Sequence, residues 1–490
     1  LHAHALVSGQ HEQAAAAQDF VVWMGRQAQN AFATHQLEAL KKVVWVVGGR
    51  SFKHGPIVEV RFVSRACNKS VGAVPLLCVM GDTPERRQPV GDELKRLIYL
   101  SPVPLDSPSQ RPHHFVAWAH ARWGCEVWWV QPYPVRLPRL SDMHRLRRAT
   151  GRSAGATSLG PSWRSADWLR VVSLSSVPLE PLLGGRQLLQ ALQAPARRRL
   201  LELIEHPQTW LVVGKPSGLA MDLCAAVQGR RVLYDVMDDV PLFSRGLSQR
   251  WMKRAHAALL AQAQAVWGSA EKLVQSMSGL TRSAPALVRN GTLLPELATG
   301  MDSGVGSAAH ASAPIVLGYV GTLASWFDWQ ALGALAAALP HARIDVYGPQ
   351  EGPLPAGLPP QVRLHGAVPH AQVFRLMRQW HAGLIPFVRN ALTDSVDPVK
   401  YYEYRSCGLP VLTTLFGEMP HHALVDDGVW DMADAQVIAA LEPHLRQWHT
   451  GLAQQQALGR AITPDWVRDA SWSARFEAGA QAVGWGPDVA

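Results

Sequence analysis

A chain of 490 residues, 48% hydrophobic and 17% charged, is longer than one core accommodates and too apolar for a disordered protein. Two α/β domains with a cleft between them are the expectation. No run of about 18 uncharged apolar residues appears, so the sequence predicts no membrane-spanning helix.

The first residues, LHAHALVSGQHEQ, lack the basic patch, apolar run and small-residue cleavage site of a secretory signal, so a cytoplasmic location is expected. Cys67, Cys78, Cys125, Cys224 and Cys407 are odd in number, scattered and without CxxC pairs, which points to reduced thiols and to no structural metal. The net charge of +9 is uneven: twelve arginines from Arg136 to Arg199 face only Asp142, Asp167 and Glu180, a local excess equal to that of the whole chain. Such a stretch suits an anionic membrane surface or an acidic glycan, or is a solvated face. Only Trp163 and Trp168 interleave with the basic residues, so nucleic acid is not an expected partner.

Residues 1–95 show no regular alternation and receive no function. From Leu97 the pattern alternates strand and helix: LIYLSPV, the helical QRPHHFVAWAHARWG, CEVWWVQPYP, then TWLVVGKP, LAMDLCAAVQG, RRVLYDVMDD, a helix around Gln249–Gln264, AVWGSA and APALVRNGT. This predicts one sheet of roughly six or seven parallel strands over residues 96–297. Residues 298–313 are small, polar and Gly-rich and read as a linker. Their GVGSAA matches the dinucleotide fingerprint only formally, since it precedes a strand, and a nicotinamide dehydrogenase is disfavoured. A second α/β domain follows over 314–463: IVLGYVG, a helix from Ser325, ARIDVYGP, VRLHGAV, PHAQVFRLMRQW, HAGLIPFV, PVKYYEYRSCG and LPVLTT. Residues 464–490 contain a last helical stretch expected to cross back to the first domain.

The strongest motif is DPVKYYEYRSCGLPVL, residues 397–412. Asp397 can cap a helix that has Pro398 at its first position. Lys400 and Glu403 fall three apart on one face of that helix. A helix N-terminus with an added ammonium suits a diphosphate, and Glu403 can accept two hydroxyl hydrogen bonds, as from a ribose. A plain surface Lys–Glu pair is the alternative.

PVKYYEYRSCGLPVLTT resembles the PxKxxEYxxxGxPV segment of GT-B glycosyltransferases, and GYVGTLASWFDW resembles the glycine turn that opens their donor domain. SQRPHHFVAWAHARWGCEVWWVQPYP is similar to the N-terminal segment of bacterial exopolysaccharide transferases of that group. With VYGP, LHGAV and RNG in order, the resemblance runs from about Leu97 to Val483. It implies an α/β GT-B fold, two Rossmann-like domains with a cleft, and a transferase that moves a sugar from a nucleotide diphosphate sugar to a lipid-linked or polysaccharide acceptor in exopolysaccharide or cell-surface glycan synthesis. Peripheral contact with the inner membrane face goes with that reading. In the resemblance Gly321, Thr322 and Lys400 hold the donor phosphates, Glu403 the ribose, and Tyr347, Gly348, Gly366 and Val368 line the base pocket. No metal or other cofactor is implied.

Many retaining members carry two glutamates eight positions apart, and here the first position is Ser395. Attention therefore moves to YDVMDD, residues 234–239, at the end of a strand. It is similar to the strand-end aspartate of the xanthan glucuronosyltransferase, an inverting enzyme, and the match lands on Asp238 as general base. Asp239 and Asp235 are alternatives, and a helix-capping role is another. Arg111 and His114, at the start of the first cleft-facing helix with His113 beside them in QRPHHF, are candidate acceptor or sugar contacts, as is Asp239. Two rivals stand beside transfer: a nucleotide-sugar epimerase on the same fold, and a non-catalytic nucleotide-sugar or glycan-binding subunit.

Overall fold

The structure is a computed structural model and describes residues 43–52, 55–64, 94–137, 166–174, 178–293, 314–457 and 462–488. The chain divides into two units, Leu1–Asp92 and Glu93–Ala490. In the first, β1 (Val43–Phe52) and β2 (Gly55–Ser64) pair antiparallel, from Val43 opposite Ser64 to Phe52 opposite Gly55. Sequence reasoning finds no element there, because Gly48, Gly49 and Pro56 interrupt the β-branched runs.

The second unit holds two parallel sheets. Strands β3 (Arg96–Leu100), β4 (Glu126–Val130), β5 (Leu169–Val172), β6 (Thr209–Val213), β7 (Val232–Val236), β8 (Ala265–Gly268) and β9 (Ala286–Leu287) lie in the order β5-β4-β3-β6-β7-β8-β9. Strands β10 (Val316–Val320), β11 (Arg343–Tyr347), β12 (Val362–Gly366), β13 (Ala382–Ile385), β14 (Val411–Thr413) and β15 (Val429–Asp431) lie in the order β12-β11-β10-β13-β14-β15. Helices cover such sheets on both faces, so central strands must be apolar throughout. All five residues of TWLVV and of VLYDV are buried accordingly. These are two Rossmann-like halves with a cleft between them, the GT-B arrangement. Each half has a switch point where the strand order reverses, between β3 and β6 in one and between β10 and β13 in the other. Crevices at the carboxyl ends of the strands open there.

Two boundaries differ from the sequence reading. The helix expected from Ser325 starts at Trp329, because Asp328 is the better cap: its Oδ1 accepts the Ala331 N–H at 2.9 Å. The last helical stretch is two helices, Trp466–Asp469 and Trp472–Ala482, broken where Thr292 pairs with both sides. The Thr292 N–H donates to the Ala470 carbonyl (3.0 Å) and the Trp472 N–H to the Thr292 carbonyl (3.3 Å). The second of these helices packs on the helix Gln110–Trp123, with the Phe476 ring 5.3 Å from Phe115 and 6.2 Å from Trp267. The end of the chain is thereby part of the core of the first half.

Arg139–Arg164 and the linker 298–313 with its GVGSAA lie outside the described residues. Several of the remaining arginines of the basic stretch are engaged within the fold. Arg170 pairs with Glu126 at 2.9 Å, Arg186 and Arg197 both pair with Asp222, and Arg199 lies 4.6 Å over the Trp128 ring. No helix among the described residues is long and apolar enough to cross a membrane.

Candidate functional site

The residues expected to bind the donor lie together at the carboxyl ends of β10, β11 and β12. Gly321 (φ 149°) and Gly348 (φ 143°) take backbone conformations that side chains rarely adopt. A Cβ on Gly348 would sit 1.9 Å from the Gly321 carbonyl oxygen, so the two strand ends touch backbone to backbone. The Gly321 N–H donates to the Tyr347 carbonyl (2.9 Å) and the Gly348 N–H to the Gly366 carbonyl (2.7 Å), which links the three turns into one rim. The Thr322 carbonyl accepts the Tyr319 hydroxyl at 3.1 Å. Tyr347 stacks on His365 with centroids 4.3 Å apart, and His365 Nε2 lies 2.8 Å from Asp345 Oδ1. Val368 packs against the core of this half.

Lys400 reaches this rim from the helix Val399–Ser406. A Cβ on Gly321 would lie 2.4 Å from Lys400 Cε and 2.7 Å from its Nζ, so only glycine leaves room for the ammonium. The Nζ is 5.4 Å from the centroids of both Tyr319 and Phe387. Among the described residues no carboxylate comes within ion-pair distance of it. Burial lowers its pKa, while the charge of the buried Glu403 one turn along the helix works in the opposite direction. A desolvated cation at a helix N-terminus beside a glycine turn can take an anionic oxygen at little reorganisation cost.

Asp397 does not cap this helix. Pro398 is the N-cap residue and no side chain bonds there. The Asp397 carboxylate is instead consumed by tertiary partners: the Asn290 N–H (2.6 Å), the Tyr402 hydroxyl (3.0 Å) and His422 Nε2 (2.9 Å). The Asn290 side-chain amide returns a bond to the Asp397 carbonyl at 2.5 Å. Ser395 is buried in a short turn with its Oγ 3.4 Å from the Leu392 carbonyl, and Asp394 pairs across the halves with Lys272 at 2.8 Å.

On the other side, Asp238 lies two residues beyond β7. Its neighbour Met237 accepts the Ser269 hydroxyl at 2.7 Å, and Glu271, two residues past Ser269, donates its N–H to Glu418 of the second half at 2.7 Å. The ends of β7 and β8 therefore face the second half. Asp238 is half-buried, and among the described residues its carboxylate has no hydrogen-bond or ion-pair partner. Desolvation, with Asp235 and Asp239 adding to it and Arg111 opposing, raises its pKa from 3.8 to about 7. A carboxylate titrating near neutrality suits proton abstraction. Asp239 is also raised by desolvation, against the pull of Lys253 and Lys272, and its carbonyl accepts the Leu242 N–H in the turn that follows.

Arg111 is buried and committed to its own fold. Its guanidinium is bidentate on Asp235 (2.7 and 3.0 Å) and donates to the Val288 carbonyl (2.8 Å) and to Asn290 Oδ1 (3.3 Å). Asp235, Arg111, Asn290 and Asp397 thus form one buried polar chain from β7 to the start of the Lys400 helix. Asn290, Tyr402, His422 and Glu418 are members of the inter-domain contact that sequence reasoning misses. The RNG tripeptide at Arg289–Gly291 is the one local signal for them. His114 Nε2 lies 3.0 Å from Gln110 Oε1 and its ring stacks on Trp472 at 5.6 Å, while His113 bonds the Leu105 carbonyl at 2.9 Å. Among the described residues no group of three or more His, Cys, Asp or Glu side chains could hold a metal ion.

No protein-family model and no curated protein matches the sequence. Among solved structures, the chain is similar to HepE of Anabaena in complex with UDP-glucose (13% identity over 79% of this chain and 99% of that one, TM-score 0.45). It is also similar to WaaG, a glycosyltransferase involved in lipopolysaccharide biosynthesis (14% identity, 79% and 98% covered, TM-score 0.47). A third is the α,α-trehalose 6-phosphate synthase of Burkholderia multivorans (10% identity, 80% and 96% covered, TM-score 0.47). At these identities the likeness is one of fold.

Proposed function

We propose that the chain transfers a sugar from a nucleoside diphosphate sugar to a lipid-linked or polysaccharide acceptor. The observation that carries this reading is Lys400: a desolvated ammonium with no carboxylate within ion-pair distance among the described residues, lodged against Gly321 at the switch point of the donor sheet. In this reading Gly321, Thr322 and Lys400 hold the diphosphate, Glu403 holds the ribose, and Tyr347, Gly348, Gly366 and Val368 border the base. Asp238 takes the proton of the acceptor hydroxyl as its oxygen bonds to the anomeric carbon. The bond from that carbon to the phosphate oxygen breaks, and the charge on the departing nucleoside diphosphate falls beside Lys400. Inversion at the anomeric carbon follows from a single displacement of this kind.

Lys400→Ala is expected to weaken nucleoside diphosphate binding roughly 10- to 100-fold, the loss of a hydrogen bond between charged groups. UDP, GDP, ADP and dTDP are tried in turn by thermal shift, and the one that stabilises the chain is titrated into parent and variant. Equal affinity in the two proteins removes Lys400 from the donor site. Stabilisation by none of the four sinks the reading itself. For the membrane, flotation with anionic vesicles is expected to carry the chain upward in low salt and lose it in high salt. Recovery that does not change with salt removes the basic stretch as the cause.

A further inference from the structure

Several described arginines of the Arg136–Arg199 stretch are engaged within the fold, but a second group of cations is not. The helix Gly246–Gln262 follows Asp238 and Asp239 after one short turn, Val240–Phe243, which packs back on it. Ser248, Met252, Ala255 and Leu259 of this helix are buried, and its inner side is pinned: the Ser248 hydroxyl accepts the Leu137 N–H at 2.9 Å, and His256 Nδ1 lies 2.7 Å from the Tyr234 hydroxyl of β7. The opposite face is thereby fixed outward. Arg250, Lys253 and Arg254 are exposed on it, Arg245 is exposed at the N-cap position, and no Asp or Glu occurs between Val240 and Gln262.

Among the described residues none of these four side chains has an ion-pair or hydrogen-bond partner. The helix itself does not benefit from them. Arg245 stands at the positive end of its dipole, where a cation is unfavourable, and Arg250 and Arg254 are a like-charge pair four apart. Beside the cations lie two large apolar side chains left in water, Phe243 (53% exposed) and Leu247 (52%). Leu247, Arg250 and Arg254 recur at three and four, so they share one stripe, apolar at the end next to Asp238 and cationic beyond it. A soluble polyanion would engage the cations and leave Phe243 and Leu247 wet. An anionic bilayer surface takes both, with the apolar groups at the headgroup–acyl boundary and the cations among the phosphates.

We propose that Phe243, Leu247 and the cationic face of the helix Gly246–Gln262 dock the chain on an anionic membrane, with Asp238 held beside the lipid surface from which a lipid-linked acceptor arrives. This deepens the transfer reading and rests on it for the acceptor alone. It also moves the membrane contact away from the Arg136–Arg199 stretch, in which Arg170, Arg186 and Arg197 are paired with carboxylates.

The full chain is floated with phosphatidylglycerol–phosphatidylcholine vesicles, without nucleotide or acceptor, and with phosphatidylcholine vesicles as control. Arg250→Gln with Arg254→Gln is expected to weaken binding to the anionic vesicles roughly 25-fold, from about fivefold for each cation near such a surface. Phe243→Ser with Leu247→Ser should weaken it by about tenfold or more. All four positions are exposed, so melting temperatures should stay at the parent value. Arg198→Gln with Arg199→Gln, and Leu354→Ser on an exposed leucine of the second half, should bind like the parent. No flotation of the parent, full binding by either double variant of the proposed face, or loss confined to the Arg198 and Arg199 pair overturns the docking surface. So does binding of polyglucuronate in place of vesicles with the Phe243 and Leu247 variant unaffected, which assigns the cations to a soluble acidic glycan. A parent that sediments as a dimer and a Leu247→Ser variant that sediments as a monomer gives the face to a second copy instead. Nucleoside diphosphate affinity is read in the same variants and should be unchanged. Flotation intact with no nucleotide bound sinks the transfer reading and supports the docking surface, so the two fail in different ways.

Discussion

Asp238→Asn is expected to lower sugar transfer by about 10²–10⁴-fold, the usual contribution of a positioned general base, with nucleoside diphosphate affinity unchanged. Asparagine keeps the shape and cannot take the proton. In the parent, the carboxylate titrates at about 7, so transfer should fall about tenfold for each pH unit below that value and level off above it. The variant should lose that limb of the profile. Stability moves in the opposite sense. The folded state holds the Asp238 proton more tightly than the unfolded chain, whose value is 3.8. The stability this lends is complete below about pH 4 and lost as pH rises through about 7. Asp238→Asn should therefore melt a few degrees above the parent at pH 8 and show a smaller difference at pH 4. Initial rates of transfer and melting curves across this range test both. Unchanged transfer removes Asp238 from the chemistry and favours Asp239, since Asp235 is fully buried in its pair with Arg111; donor turnover without acceptor in the parent favours an epimerase. Donor binding with no turnover at all favours a binding subunit.

Arg111→Met should cost about 3–5 kcal/mol of stability, because it strands the fully buried Asp235 carboxylate without its cation. For units of this size that is a fall in melting temperature on the order of 10 °C. The double variant Arg111→Met, Asp235→Leu should recover much of the loss, since an apolar pair in place of a buried ion pair is often neutral. Urea titration of the four proteins completes the cycle. A single variant within about 1 kcal/mol of the parent would show that the pair carries no such load.

The strands that sequence reasoning finds are those buried on both faces, where LIYL, WLVV, VLYDV and VLGYV give near-continuous apolar runs. β15 has three residues and β5 is exposed at Arg170 and Val171, so neither gives such a run. The pair of helices Gly185–Leu192 and Ala194–Glu205 is likewise hidden by the basic composition around it. At the site, the spacing of Lys400 and Glu403 is local and legible. The role of Asp397 is not, because a carboxylate before a proline at a helix start reads as a cap, and its partner Asn290 is 107 positions away. Arg111 and Asp235 are 124 positions apart, and nothing in QRPHHF announces that its arginine is buried.

The chain of Asp235, Arg111, Asn290 and Asp397 has a mechanical consequence. Gly291 beside it approaches the Ala470 carbonyl so closely that a Cβ would stand 2.6 Å from that oxygen, so a larger residue there would force the two segments apart. Asp238 is three residues along the chain from Asp235 and Lys400 three from Asp397, so each is tied by a short stretch of backbone to the same buried polar chain.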